Sequence, residues 1–262
     1  MPGVLELLDL EEVDRDLYRS QQTFSEPHAL FGGQVAAQAL MAAGRTVPED
    51  RLPHSLHGYF LRRGDAGRPT VFRVDRDRDG RSFSARRVVA LQGGEVIFNM
   101  ACSFHLGQTG PEVQSQQAPE AEDPETLPDL PVSRLSSIQI RRPRQPFGDV
   151  PWPTLFWARV TTPAPDSPLV HACLLTYLSD FGSGLSALDA AREASGASID
   201  HAVWFHRHGR LDDWVLTDLV PSSASCGRGW YTGAIYDRRG LHLASLTQEM
   251  LFRTPATDAG RG

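Results

Sequence analysis

The chain has 262 residues, of which 40% are hydrophobic and 22% charged, so it can bury one large hydrophobic core or two smaller ones. Its net charge of −6 argues against a protein that binds nucleic acid or an anionic membrane through a basic surface. All 26 basic residues are arginine, which excludes lysine-dependent chemistry such as Schiff-base formation or a P-loop phosphate site.

The cysteines and the termini indicate a reduced, cytoplasmic protein. The three cysteines form no CxxC pair, and no HxxxH or HExxH spacing occurs, so we expect neither a disulfide framework nor a bound metal. Residues 1–15 mix acidic residues with leucines and lack the pattern of a signal peptide. No apolar run approaches the roughly 18 residues of a membrane-spanning helix, so no membrane insertion is expected.

The first half of the chain predicts one helix and then four strands. Residues 30–43 (LFGGQVAAQALMAA) are apolar nearly all round, which indicates a helix enclosed by other elements. Strands are predicted over residues 54–63, 71–75, 82–91 and 95–105, with Asp79-Gly80 and Gly93-Gly94 at two of the turns.

Residues 107–153 differ in composition from the rest of the chain. They hold nine of the 19 prolines and an acidic patch over residues 120–125. Because proline cannot donate a ladder hydrogen bond, we interpret this segment as a linker without regular strands, laid over the surface. The predicted domains are therefore an N-terminal domain over residues 1–106, the linker, a C-terminal domain over residues 154–253 carrying the catalytic residues, and a flexible tail over residues 254–262.

The second half repeats the order of the first. An apolar helix is predicted over residues 169–179, followed by strands over residues 200–207, 213–220, 228–236 and 241–252. His54 precedes His201 by 147 positions, and Gly94 precedes Gly240 by 146, which favours an internal duplication. A buried helix followed by several antiparallel strands, present twice, predicts an α+β double hot-dog fold whose two sheets join edge to edge.

Several separated motifs resemble those of one enzyme family. They are FGGQV at 31–35, HSLHGYFLR at 54–62, DGRSFSARR at 79–87, LSDF at 178–181, SIDH at 198–201, WFHR at 204–207 and TQE at 247–249. Together they resemble the type II acyl-CoA thioesterases, the TesB-like double hot-dog enzymes, over roughly residues 5–253. The resemblance implies hydrolysis of fatty acyl-CoA to a free acid and CoA, without a covalent intermediate and without a cofactor.

The resemblance also implies three catalytic residues. Asp180, Ser198 and Gln248 match the Asp, the Ser or Thr, and the Gln that activate the attacking water in the family. A carboxylate can accept a proton from water, and a hydroxyl and an amide can orient that water. Taken alone, Asp180 could equally cap a turn and Gln248 could be an ordinary strand residue.

Three further residues are weaker candidates. Gly32 and Gly33 begin the first helix, where free N–H groups could bind the thioester oxygen, although a simple turn at the helix start is the alternative. His54 is a possible second base, although a lone histidine in a strand is more often structural.

Two other functions stay open at this point. One is a non-catalytic acyl-CoA-binding module, because a fold does not settle a function. The other is a hot-dog hydratase or dehydratase, which needs a histidine paired with an acid in the site. The expected partners are acyl-CoA and further copies of the chain, as a dimer or tetramer of double hot-dogs.

Overall fold

The structure is a computed structural model that describes residues 2–23, 29–132, 137–188 and 196–253. The tail predicted over residues 254–262 lies outside the described residues. The α-helices are α1 (Val4–Leu7), α2 (Gly32–Gly44) and α3 (Pro168–Ser179). Within the described ranges, no helix has the length and apolar character to cross a membrane.

Twelve strands are present in the described ranges. The N-terminal strands are β1 (Leu10–Asp14), β2 (Leu17–Ser20), β3 (Arg51–Phe60), β4 (Val71–Asp79), β5 (Phe83–Gln92) and β6 (Glu95–Leu106). The C-terminal strands are β7 (Ile138–Arg141), β8 (Leu155–Val160), β9 (Ser198–Phe205), β10 (Val215–Ser225), β11 (Arg228–Asp237) and β12 (His242–Leu251).

All these strands form one antiparallel sheet. Its order is β1-β2-β4-β5-β6-β3-β9-β12-β11-β10-β8-β7, so each half of the chain supplies one half of the sheet. Strands β3 and β9 pair at the centre and join the two halves, with Gly58 opposite His201. The structure confirms the predicted double hot-dog fold with its sheets joined edge to edge.

The two long helices pack against each other on one face of the sheet, which we call the inner face. Residues 33–44 of α2 are all buried, which confirms that this apolar helix is enclosed. A Cβ on Gly33 would lie 2.4 Å from the Tyr177 carbonyl oxygen, and one on Gly44 would lie 2.4 Å from Leu169 Cδ1. Since Gly33 begins α2 and Tyr177 is near the end of α3, the two helices run antiparallel.

Each central strand carries a β-bulge. In β3, Pro53 lies opposite Phe104 and Ser55 opposite Ser103, so His54 is an extra residue. In β9, Asp200 lies opposite Glu249 and Ser198 opposite Met250, so Ile199 is the extra residue. An extra residue reverses which face of the sheet the neighbouring side chains point to.

The proline-rich segment differs from its prediction at one place. Strand β7 lies inside it and pairs with β8, and its Ile140 is only 1% exposed. The prediction of a linker without ladder hydrogen bonds is therefore wrong for residues 138–141, a stretch that contains no proline. The acidic part lies over the outer face of the C-terminal half, where the indole N–H of Trp157 donates to the Glu122 carbonyl oxygen.

Candidate active site

Asp180 lies at the junction of the two helices. It is the C-cap of α3, and the antiparallel packing brings it to the first turn of α2. There the Gly33 N–H donates to Asp180 Oδ2 over 2.8 Å. The unpaired N–H groups at a helix start carry a partial positive charge, which stabilises a carboxylate at this position.

The two glycines at the start of α2 make this contact possible. A Cβ on Gly32 would lie 2.7 Å from Asp180 Oδ2, so a larger residue here would displace the carboxylate. The Gly33 N–H was a predicted donor to the thioester oxygen, but in the structure it donates to Asp180. The corresponding role of Gly32 stays a prediction.

The structure brings the three residues of the predicted catalytic set together. Ser198 Oγ lies 3.5 Å from Asp180 Oδ1, and Gln248 Nε2 donates to Ser198 Oγ over 2.6 Å. Ser198 reaches the inner face because of the bulge at Ile199, since regular alternation would place it on the same face as Asp200. The catalytic roles of the three residues remain predictions, which the geometry permits.

His201 and Ser179 extend this cluster, and no role was predicted for either. His201 Nδ1 lies 2.6 Å from Gln248 Oε1, and His201 Nε2 lies 2.7 Å from Ser179 Oγ. The sequence does hold a signal for the first contact. Strand alternation separates His201 from Asp200, and His201 is the cross-strand neighbour of Gln248.

Burial determines the charge of His201, which is 1% exposed. Desolvation lowers the pKa of His201 below its usual value, while the Asp180 charge and the Gln248 hydrogen bond act in the opposite direction. Because the net change is downward, the imidazole is neutral at neutral pH and carries one N–H.

His54 is separated from this cluster, contrary to its predicted place near the site. Its Nε2 lies 2.8 Å from Ser103 Oγ, and its ring faces Phe83, which is 49% exposed, on the opposite, outer face of the sheet. The bulge explains the difference, because His54 is the extra residue of β3. His57 and Asp200 also meet on the outer face, where His57 Nε2 lies 3.0 Å from Asp200 Oδ2.

An open cleft of about 370 Å³ begins beside Asp180. Its lining is mainly apolar and comprises Phe31, Val132, Pro151, Trp152, Phe181, Gly182, Ser183, Leu185, Ser186, Gly196, Met250, Leu251 and Phe252. The proline-rich segment supplies Val132, Pro151 and Trp152 and thus forms part of the wall. A cleft of this volume and character can hold a flexible alkyl chain.

Comparison with known proteins gives matches over both halves of the chain. The family model described as "Acyl-CoA thioesterase N-terminal domain" matches residues 21–105, and that described as "Acyl-CoA thioesterase C-terminal domain" matches residues 114–252. "Acyl-CoA thioesterase 2" of Haemophilus influenzae is 33% identical, with 96% of this chain and 97% of that protein covered. Human "Acyl-coenzyme A thioesterase 8" is 31% identical, with 95% and 88% covered.

Solved structures give the same result. The crystal structure of the acyl-CoA thioesterase II TesB2 from Mycobacterium marinum is 39% identical in sequence and superposes with a TM-score of 0.83. The superposition covers 97% of this chain and 99% of that one. The similarity therefore includes the arrangement of both halves as well as the fold of each.

Proposed function

Because the chain belongs to the acyl-CoA thioesterase family, we propose that it hydrolyses fatty acyl-CoA to a free fatty acid and CoA by direct attack of an activated water. The observation that carries this proposal is the Asp180 carboxylate at the start of α2, with Ser198 Oγ and Gln248 Nε2 in a hydrogen-bonded row beside it.

In the proposed reaction Asp180 is the general base. Its carboxylate accepts a proton from water as the water oxygen attacks the thioester carbonyl carbon. The tetrahedral intermediate then collapses, the carbon–sulfur bond breaks, and CoA leaves with the electron pair of that bond. The proton held by Asp180 passes to the thiolate or to solvent, which restores the carboxylate.

Ser198 and Gln248 orient the water and do not attack the substrate. No histidine activates Ser198 as a nucleophile, because His201 contacts the Gln248 amide oxygen and not Ser198. The carboxylate nearest Ser198 Oγ is Asp180, at 3.5 Å, and in the proposed reaction it takes its proton from water. The first turn of α2 favours negative charge on the thioester oxygen, and we assign Gly32 N–H as the candidate donor there.

The apolar cleft is the proposed site of the acyl chain. It begins at Phe31, the N-cap of α2, and at Phe181, the residue after the proposed base. An acyl chain in this cleft would place its thioester next to Asp180, since Phe181 follows that residue in the chain and Phe31 precedes Gly32, which lies against its carboxylate.

The alternatives receive less support. A hydratase needs a histidine and an acid at the substrate, but both ring nitrogens of His201 are engaged and the His57–Asp200 pair lies on the outer face. A pure binding module has no need for a carboxylate, a hydroxyl and an amide held in one hydrogen-bonded row.

Release of CoA from a panel of saturated and unsaturated acyl-CoAs tests the proposal. We expect free thiol to appear at the rate of acid formation, with no change in the double bonds of the acyl group. Hydration of an enoyl-CoA with CoA retained would indicate a hydratase. Saturable binding of acyl-CoA without any product would indicate the binding module.

We also propose that the chain forms a homo-oligomer. Three aromatic side chains lie on the outer face of β3, β9 and β11, namely Tyr59, Trp204 and Trp230, and they are 40–46% exposed. A group of exposed aromatic residues on a sheet is typical of a protein interface. Light scattering on the purified protein measures the mass; a monomer at micromolar concentration would contradict the proposal.

A further inference from the structure

A row of five side chains connects the end of α3 to the proposed base. The successive contacts are Ser179 Oγ to His201 Nε2 at 2.7 Å, His201 Nδ1 to Gln248 Oε1 at 2.6 Å, Gln248 Nε2 to Ser198 Oγ at 2.6 Å and Ser198 Oγ to Asp180 Oδ1 at 3.5 Å. His201 is the second side chain of this row and does not line the cleft.

The neutral state of His201 leaves two possible directions for the row. If the proton is on Nδ1, His201 donates to Gln248, the Gln248 NH2 faces Ser198, and the Ser198 hydroxyl donates to Asp180. If the proton is on Nε2, each hydrogen bond of the row runs in the opposite direction, so that His201 donates to Ser179 and the Gln248 amide donates to His201. Ser179 then donates to the Thr176 carbonyl oxygen, 2.9 Å away, and Ser198 donates to Gln248.

The charge of Asp180 decides between the two directions. In the first, a hydroxyl hydrogen points at the carboxylate, and a hydrogen bond to a charged acceptor is stronger than one between neutral groups. In the second, the Ser198 lone pairs face Asp180 Oδ1 across 3.5 Å, which is repulsive. The only compensation in the second direction is the hydrogen bond between neutral groups from the Ser179 hydroxyl to the Thr176 carbonyl oxygen.

We propose that His201 is a positioning residue whose Nδ1 proton fixes the Gln248 amide and thereby directs the Ser198 hydroxyl to Asp180. The contribution of His201 to hydrolysis rests on the proposed function, but the position of its ring proton does not. Without this proton the Gln248 amide can rotate by half a turn, so that its oxygen faces Ser198 and no longer donates to it.

The tautomer of His201 is directly measurable. Nitrogen NMR of isotope-labelled protein distinguishes a protonated from an unprotonated ring nitrogen, and loss of the signals in His201→Asn assigns them. We expect Nδ1 protonated and Nε2 unprotonated at neutral pH. A proton on Nε2 would overturn the proposal whether or not the protein turns over acyl-CoA, which separates this test from that of the proposed function.

Kinetics of three variants test the consequence. His201→Leu keeps the volume but removes both contacts, and we expect kcat to fall about tenfold with KM nearly unchanged. His201→Asn places an amide N–H near the position of Nδ1, so it should recover most of the loss. His54→Leu is the matched control, since His54 makes a 2.8 Å ring-to-hydroxyl contact on the outer face, and its kcat should equal that of the wild type.

A double-mutant cycle separates positioning from a general structural role. Because His201 acts through Gln248, adding His201→Leu to Gln248→Ala should cost no further kcat. Multiplicative losses in the double variant would overturn the proposal, as would wild-type kcat in folded His201→Leu. Thermal unfolding of each variant shows whether it is folded, and His201→Asn decides the question if His201→Leu is not.

Discussion

The two ends of the helix pair occupy equivalent places in the repeated fold but carry opposite charges. At one end the C-cap of α3 is Asp180, which accepts a hydrogen bond from the first turn of α2. At the other end the C-cap of α2 is Arg45, which lies near the first turn of α3. A cation is unfavourable at a helix N-terminus, and the Arg45 side chain turns away to donate to the Leu10 carbonyl oxygen over 2.6 Å.

The end of the helix pair at Arg45 is closed, whereas the end at Asp180 is open. A buried arginine, Arg86, donates to both oxygens of Thr46 just after α2 and to Asp79. Ser167 caps α3 with its own hydroxyl. The cavity beside Pro168 and His171 of α3 is about 20 Å³, against about 370 Å³ for the cleft beside Asp180. The repeat therefore supplies two similar helix ends, and only the Asp180 end combines a carboxylate with an open cleft.

The largest effect expected from this comparison is that of Asp180→Asn. The amide oxygen can still accept from Gly33, so the fold should persist, but the amide cannot take a proton from water. We expect kcat to fall by about 100-fold or more, the contribution of a general base. Steady-state CoA release measures it, and turnover near the wild-type rate would remove Asp180 from the mechanism.

The next largest loss of kcat is expected from substitution of the glycines at the two ends of α2. In Gly33→Ala the new methyl would meet the Tyr177 backbone oxygen at 2.4 Å, so α2 must move away from Asp180. We expect about a tenfold loss of kcat, because the geometry at the reacting atoms is sensitive to such shifts.

Gly44→Ala should be milder, since its methyl would meet the flexible Leu169 side chain at the closed end. Gly107→Ala is the neutral control, because a Cβ at Gly107 meets nothing within 4 Å. Equal kcat losses in Gly33→Ala and Gly44→Ala would show that the two ends are not functionally different.

The burial of the helices could be predicted from the sequence alone, whereas the faces of some strand residues could not. The apolar character of α2 and α3 on all sides identified both as buried helices, and alternation correctly placed Asp200 and His201 on opposite faces. Simple alternation would give the wrong face at His54 and at Ser198, because one extra residue in each strand reverses the face. The grouping of Asp180, Ser198 and Gln248 came from the resemblance, since three distant elements meet only in the fold.

A stability effect without a catalytic one is expected at the closed end. Asp79 Oδ1 accepts from Arg86, which is 1% exposed, and from Ser84. Asp79→Asn should lower the free energy of unfolding by about 1–2 kcal/mol and leave kcat unchanged. Denaturant unfolding and CoA release measure the two effects, and a loss of kcat with unchanged stability would contradict the division between the ends.

The effect of Asp79→Asn on the free energy of unfolding should depend on pH. The Ser84 hydrogen bond, and after it the Arg86 interactions, hold the pKa of Asp79 below its usual 3.8 in the folded chain. The stabilisation is therefore complete above that value and is lost as the pH falls through the lower folded pKa. The difference in unfolding free energy between wild type and Asp79→Asn should shrink below about pH 3.8. A constant difference down to lower pH would contradict it.

The smallest effect is expected at the cleft wall. Trp152 lies in the cleft beside Asp180 and is 55% exposed, so Trp152→Ala removes only part of the apolar wall. We expect KM for long-chain acyl-CoA to rise about threefold to tenfold with little change for short chains. Phe83→Ala, on the outer face and 49% exposed, is the matched control and should leave KM unchanged. A rise in KM that is equal for all chain lengths would place the acyl chain elsewhere.

The proposed direct attack of water on the thioester at the Asp180 end can be tested in one measurement. A single turnover in heavy-oxygen water, with enzyme in excess over acyl-CoA, tests it by mass spectrometry of the acid and of the enzyme. Direct attack predicts one heavy oxygen in the fatty acid from the first turnover, and none in the protein. An unlabelled first product with heavy oxygen in the peptide containing Asp180, or an acyl group trapped on the peptide containing Ser198, would contradict the account.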